Sequence, residues 1–167
     1  MPNVKNTKQS KRNIFRRPPI KLPVSLDIIF HELEILYGKP VWNSRYSPID
    51  ELIFTVLTQH TSDKNAERAF DALKSTFVEW KHVEKADPKT IAKTIYHGGL
   101  ANQKSTRIKN ILTNILDRLG DFNLEFLKSQ NLYETRDWLM SLSGVGPKTA
   151  AVVMAFSLGM PAMPVDT

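Results

Sequence analysis

From Leu26 onward, apolar residues recur at spacings of three and four, the period of one face of an α-helix. Leu26, Ile29, Phe30, Leu33 and Leu36 form the first stripe, with Asp27 as its expected cap and Gly38 and Pro40 as its stop. Ser47-Pro48 followed by Asp50 and Glu51 opens a second helix, since proline suits the first turn and acids suit the positive helix end. Ser62 or Asp63 starts a third, carrying Ala66, Ala69, Phe70, Leu73 and Phe77. Asp87-Pro88 begins a short fourth that runs through Ile91, Ile95 and Tyr96 to Gly98-Gly99. Ile108, Ile111, Leu112, Ile115, Leu116 and Leu119 make the most regular stripe, closed by Gly120. A short helix around Leu124 to Leu127, one from Thr135 to Leu142 and one from about Lys148 to Leu158 complete the series. No alternating strand pair interrupts it, so the expected fold class is all-α, with seven or eight short helices and no internal repeat.

The charge changes this picture at one end only. The formal net charge is +6, but residues 1–21 alone carry Lys5, Lys8, Lys11, Arg12, Arg16, Arg17 and Lys21 with no acid. The excess is a property of the tail, and the remainder of the chain is nearly neutral. Residues 1–25, with Pro18, Pro19 and Pro23 and little apolar periodicity, read as a basic disordered arm of the kind that tracks phosphate backbones. A solubilising leader or an organellar transit segment is the alternative. Residues 26–167 read as one domain. With no cysteine in the chain, disulfides, thiolate nucleophiles, thiolate zinc sites and cysteine-held clusters are excluded for these 167 residues. No apolar run approaches the ~20 residues of a membrane helix.

One segment departs from generic helix packing. From Leu139 the chain runs through an apolar helix into Gly144-Val145-Gly146, and a new helix starts at once with Pro147-Lys148-Thr149. Two glycines permit a tight turn and a close backbone approach, and the unpaired N–H groups of the new helix present positive charge. Together they suit a phosphate, read without regard to base sequence. An ordinary αα-hairpin is the plainer alternative, although Leu142, Val145, Ala150, Val152 and Val153 also suit two helices crossing closely.

The segment Leu142 to Ala150 (Leu-Ser-Gly-Val-Gly-Pro-Lys-Thr-Ala) resembles the helix-hairpin-helix of the endonuclease III-like DNA glycosylases. Three further stretches resemble that family in the same order: Leu57 to Asp63, Gly98 to Lys104, and Pro164 to Thr167, which is similar to the start of a Val-Asp-Thr-His signature. The resemblance covers roughly residues 26–167 and implies a multi-helix glycosylase fold with its helix-hairpin-helix at about 135–158. It implies base-excision repair, with a damaged base, often an oxidised pyrimidine, flipped from duplex DNA and cut from its sugar. It also implies a monomer that binds double-stranded DNA carrying a damaged base or abasic site, without a membrane, in an intracellular DNA-containing compartment: cytoplasm and nucleoid, or nucleus or organelle.

The same resemblance implies residue roles. Lys148 matches the lysine that marks members able both to release the base and to nick the strand, through a Schiff base at C1′. A lysine amine is ordinarily protonated at neutral pH, and a helix N-terminus with partial desolvation disfavours its charged form. Asp166 matches the assisting carboxylate. The helix from Lys148 to Leu158 is ~16 Å long and the return to Asp166 spans up to ~25 Å, so the two residues can meet. Gly144, Val145, Gly146, Lys148 and Thr149 would hold DNA, with Leu100 as a wedge and Lys104 in the same loop. The gap-filling glutamine of the family falls on His60 rather than Gln59, which leaves both as candidates.

No metal site is read from the sequence. Many members carry four cysteines holding an iron–sulphur cluster beyond this point. The resemblance therefore implies no cofactor in this chain, a [4Fe-4S] cluster in a full-length form, and a C-terminally truncated product with missing C-terminal helices and weak or absent activity. A non-catalytic helix-hairpin-helix DNA-binding module and a monofunctional glycosylase are the alternatives.

Overall fold

The computed structural model describes residues 24–165, so the basic arm up to Leu22 and Pro23, and Asp166 with Thr167, lie outside the described residues. The chain divides into two compact units, residues 1–41 and 42–167. The first contains α1 (Leu26–Tyr37), which buries none of its residues. Its cap is Ser25, whose hydroxyl accepts from the Asp27 amide. Asp27 is thus a first-turn acid rather than the cap, because a hydroxyl two residues earlier already satisfies that N–H.

The second unit is built from α2 (Pro48–Thr58), α3 (Asp63–Thr76), α4 (Trp80–Lys85), α5 (Pro88–Thr94), α6 (Ala101–Leu119), α7 (Leu132–Met140) and α8 (Pro147–Phe156). Two short 3-10 turns, Tyr96–Gly98 and Glu125–Ser129, link them, and no strand occurs among the described residues. The all-α expectation holds. Two details were not read from the pattern. Helix α4 has six residues and no side-chain cap, with only Trp80 and Val83 buried, too little for a period to show. Helix α7 starts at Leu132 instead of Thr135, because Asn131 and Glu134 form a reciprocal capping box.

Helix α2 is the axis of this unit. It packs on α3, α6 and α8, and every residue from Pro48 to Leu57 except Asp50 is buried. A helix apolar on almost all sides needs neighbours on all sides, and the fully buried Ile108, Ile111, Leu112 and Ile115 of α6 supply one wall. Each such side chain contributes about 1.5–3 kcal/mol through burial. Asp50 anchors the start of α2 by accepting from Lys74 Nζ of α3 and Trp80 Nε1 of α4, both at 3.0 Å. The C-terminal end of α2 is held by Lys104 of α6, whose ammonium donates to Leu57 O, and it is there that the chemistry-bearing residues gather.

Candidate active site

The hairpin between α7 and α8 is tight. Gly144 has φ +84°, a left-handed value natural to glycine, and Val145 N–H donates to Leu142 O at 3.1 Å. The Val145 side chain is only 6% exposed and belongs to the core, so its part in any DNA contact falls to its backbone. Gly146 begins α8 without a side-chain cap, and Pro147 follows at the first helical position. Nothing lies within 4 Å of where a Cβ on Gly146 would sit. Its openness faces outward, whereas a Cβ on Gly144 would meet the Arg107 side chain at 2.8–3.0 Å.

Beside this turn lies a cavity of about 520 Å³ lined by residues from three segments: Thr55, Thr58, Gln59 and His60 at the end of α2, Gly146 to Thr149 at the start of α8, and Val165. Lys148, on the first turn of α8, is exposed. The threonines of α2 spend their protons on the helix itself: Thr55 Oγ1 donates to Glu51 O at 2.7 Å and Thr58 Oγ1 to Thr55 O at 2.8 Å. Their lone pairs are what the wall offers. Thr149 is buried, and its hydroxyl accepts from Gln59 Nε2 at 3.4 Å, so it faces the protein interior as much as any ligand.

The wedge candidate Leu100 and the gap-filling candidate His60 share a backbone property. Among non-glycine residues, positive φ is recorded for His60 (53°) and Leu100 (46°). Such conformations cost of order 1 kcal/mol and cluster where a loop must aim a side chain. Both side chains are exposed. With Gln59, Gln103, Lys104 and Arg107 they line a second, smaller cavity of about 100 Å³. Gln59, by contrast, turns inward: its Oε1 accepts from Arg107 Nη1 and its amide nitrogen reaches Thr149. Of the two candidates for the gap-filling position, His60 is the one that projects outward.

Lys104 is not placed to meet a phosphate. It is 3% exposed, and its ammonium donates to Leu57 O and Gly98 O at 2.7 Å each, closing the end of α2 onto the turn before α6. Burial, and secondarily the Arg107 guanidinium, hold its pKa below the ordinary lysine value. The expectation of DNA contact through this side chain is corrected: its position, one full turn into α6, directs it against α2.

Beyond α8 the chain doubles back. Ser157 Oγ donates to Tyr46 O at 3.0 Å, and Trp42 Nε1 donates to Ala155 O at 3.0 Å. The Trp42 ring lies where a Cβ on Gly159 would meet it at 3.2 Å. The return brings Val165 to the cavity wall. Asp166, the expected carboxylate, is outside the described residues. Arg107, Thr55, Thr58 and Trp42 were missed in the sequence. Arg107 and Thr55 were legible in principle, as Arg107 lies three residues beyond Lys104 on α6 and Thr55 stands four residues before Gln59.

Residues 53–167 match the HhH-GPD superfamily of base excision DNA repair proteins, and the chain belongs to that family. It is 40% identical over 121 residues to the "Putative DNA glycosylase" of Arabidopsis thaliana, covering 72% of this chain and 41% of that protein. It is 35% identical over 118 residues to the endonuclease III of Sulfolobus acidocaldarius, covering 70% of this chain and 50% of that one. The chain thus spans half or less of these relatives' lengths. In fold it is similar to the endonuclease III of a trapped DNA covalent intermediate, with a TM-score of 0.65 at 24% identity over 84% of this chain and 63% of the other.

Proposed function

We propose that this protein is a base-excision DNA glycosylase with abasic-site lyase activity, acting on double-stranded DNA that carries a damaged base, an oxidised pyrimidine in the first instance. The observation that carries the reading is the convergence of Lys148, the Gln59-His60 corner and Val165 on one open cavity beside an uncapped helix start. His60 and Leu100 enter the duplex and fill the space a flipped base leaves, which offsets part of the few kcal/mol that flipping costs. The first-turn N–H groups of α8, approached past Gly146, hold a phosphate. The deprotonated Lys148 amine attacks C1′ as the glycosidic bond breaks, and the base leaves with the bonding electrons and takes up a proton. Opening of the sugar ring gives the Schiff base, and removal of a C2′ proton then expels the 3′ phosphate. Asp166 assists as the carboxylate beside the amine; in support, its chain neighbour Val165 lines the cavity. The chain has no cysteine, so its residues do not fit an iron–sulphur cluster, and no step runs through one. The substrate places the protein with DNA, in cytoplasm and nucleoid or in a nucleus or organelle.

The test is borohydride trapping on a duplex containing an oxidised pyrimidine. The wild-type chain should form a covalent adduct, in low yield if its activity is as weak as the resemblance implies, and Lys148→Gln should lose it while still binding duplex. Adduct formation by Lys148→Gln would overturn the nucleophile. Salt-sensitive duplex binding with no adduct and no preference for a lesion would instead leave a non-catalytic helix-hairpin-helix module.

A further inference from the structure

Between the two cavities runs a line of hydrogen bonds whose direction is set by chemistry. An arginine side chain only donates, so the Gln59 oxygen must face Arg107 and the Gln59 nitrogen must face Thr149. The Thr149 hydroxyl therefore accepts, which leaves its own proton to donate. Thr149 lines the larger cavity next to Lys148. The stem of Arg107 rests against Gly144, where a Cβ would come within 3.0 Å of it, so the same side chain also touches the hairpin turn. Three segments distant in sequence, the end of α2, the second turn of α6 and the hairpin before α8, meet at the Arg107 side chain, and Gln59 extends the link to Thr149 on α8.

We infer that Arg107 is a positioning residue for the reaction: through Gln59 it fixes the spacing of the cavity walls and polarises Thr149 as a hydrogen-bond donor toward an acceptor oxygen of the bound nucleotide. The inference rests on the proposed glycosylase reading for its last step only. Arg107 itself does not touch the reacting atoms. Its loss frees the Gln59 amide to turn into the cavity and allows the Thr149 proton to rotate away. Misplacement on the scale of an ångström slows chemistry far more than it weakens binding.

Gln59→Glu separates this role from a structural one. A carboxylate keeps the bond to Arg107, now as an ion pair, but has no N–H for Thr149. A structural brace would be preserved or strengthened; a donor relay would be broken. The expected result is a Gln59→Glu protein with Tm no lower than wild type and a single-turnover base-release rate, measured at saturating enzyme, about tenfold slower. Arg107→Met, which keeps the stem against Gly144, should show a similar loss, and Arg107→Lys should recover part of it. In the free protein, Arg107→Met should also raise amide hydrogen exchange at residues 59–61 and 148–150 without affecting the middle of α2. A wild-type rate in Gln59→Glu overturns the relay, as does unchanged exchange in Arg107→Met. If the wild type releases no base from any lesion duplex, the glycosylase reading fails, and the exchange experiment alone decides whether Arg107 fixes the walls.

Discussion

Two turns in this protein each lead from glycine into a helix that carries a lysine near its start, and the fold treats the two lysines in opposite ways. Gly98-Gly99-Leu100 leads into α6 with Lys104, and Gly144-Val145-Gly146-Pro147 leads into α8 with Lys148. Neither helix start has a side-chain cap. Yet Lys104 is buried with its ammonium on two backbone carbonyls, whereas Lys148 is exposed at a cavity rim. The difference is position along the helix. Lys104 is the fourth residue of α6, a full turn in and on the face against α2, while Lys148 is the second residue of α8, still at the mouth of the turn. A glycine-led lysine is a functional candidate only while the helix has not yet carried it into the packing.

The comparison is broken most sharply by exchanging which lysine is removed. Lys148→Gln should abolish the covalent adduct and leave thermal stability within about 0.5 kcal/mol of wild type, as expected for an exposed site. Lys104→Met should do the reverse on stability, lowering it by about 2–3 kcal/mol in urea denaturation because two buried carbonyls lose their donor. Should Lys104→Met bind duplex less tightly at low temperature while its unfolding midpoint is unmoved, the structural assignment of Lys104 is wrong. The glycines give a smaller contrast. Gly146→Ala has room for its methyl and an ordinary φ of −96°, so stability should barely change while duplex affinity falls about tenfold. Gly144→Ala forces a left-handed alanine against Arg107 and should cost about 1–2 kcal/mol in folding.

The smallest effect concerns pH. Lys104 titrates below the ordinary lysine value of 10.5 in the folded chain, so between the depressed value and 10.5 the unfolded chain binds more protons. Its contribution to stability therefore improves as pH rises through that window and is least favourable below it. Denaturation of wild type and Lys104→Met across this range should show a steeper upward pH slope for wild type. Equal slopes would mean that Lys104 is solvated in the folded state.

Much of this was legible in the residues themselves. The period of the apolar positions, with Ser47-Pro48, Ser62 and Asp87-Pro88 as starts, places α2, α3 and α5 to within a residue or two, because each start is a local chemical event. The hairpin glycines and Lys148 also announce themselves locally. What was not legible is direction. Nothing in the order Gln59-His60 says which side chain points outward, since that depends on Arg107, forty-eight residues later. Nor does the motif containing Lys104 reveal that α2 lies against it. Sequence reports which residues are available to a site, and the tertiary fold decides which of them face it.

The tryptophan clamp at the end of α8 bears on how the protein comes to be folded. The bond from Trp42 to Ala155 spans 113 residues, that from Ser157 to Tyr46 spans 111, and that from Gln59 to Thr149 spans 90. Helices α3 to α5, in contrast, pack mostly on elements nearer in the chain. During synthesis the segment from Trp42 to Gln59 must therefore wait for α8 to emerge before the cavity has a second wall, and closing so long a loop is the costlier, later step. Substitutions at Trp42 are expected to speed unfolding much more than they slow folding, a mark of a cavity assembled last and lost first.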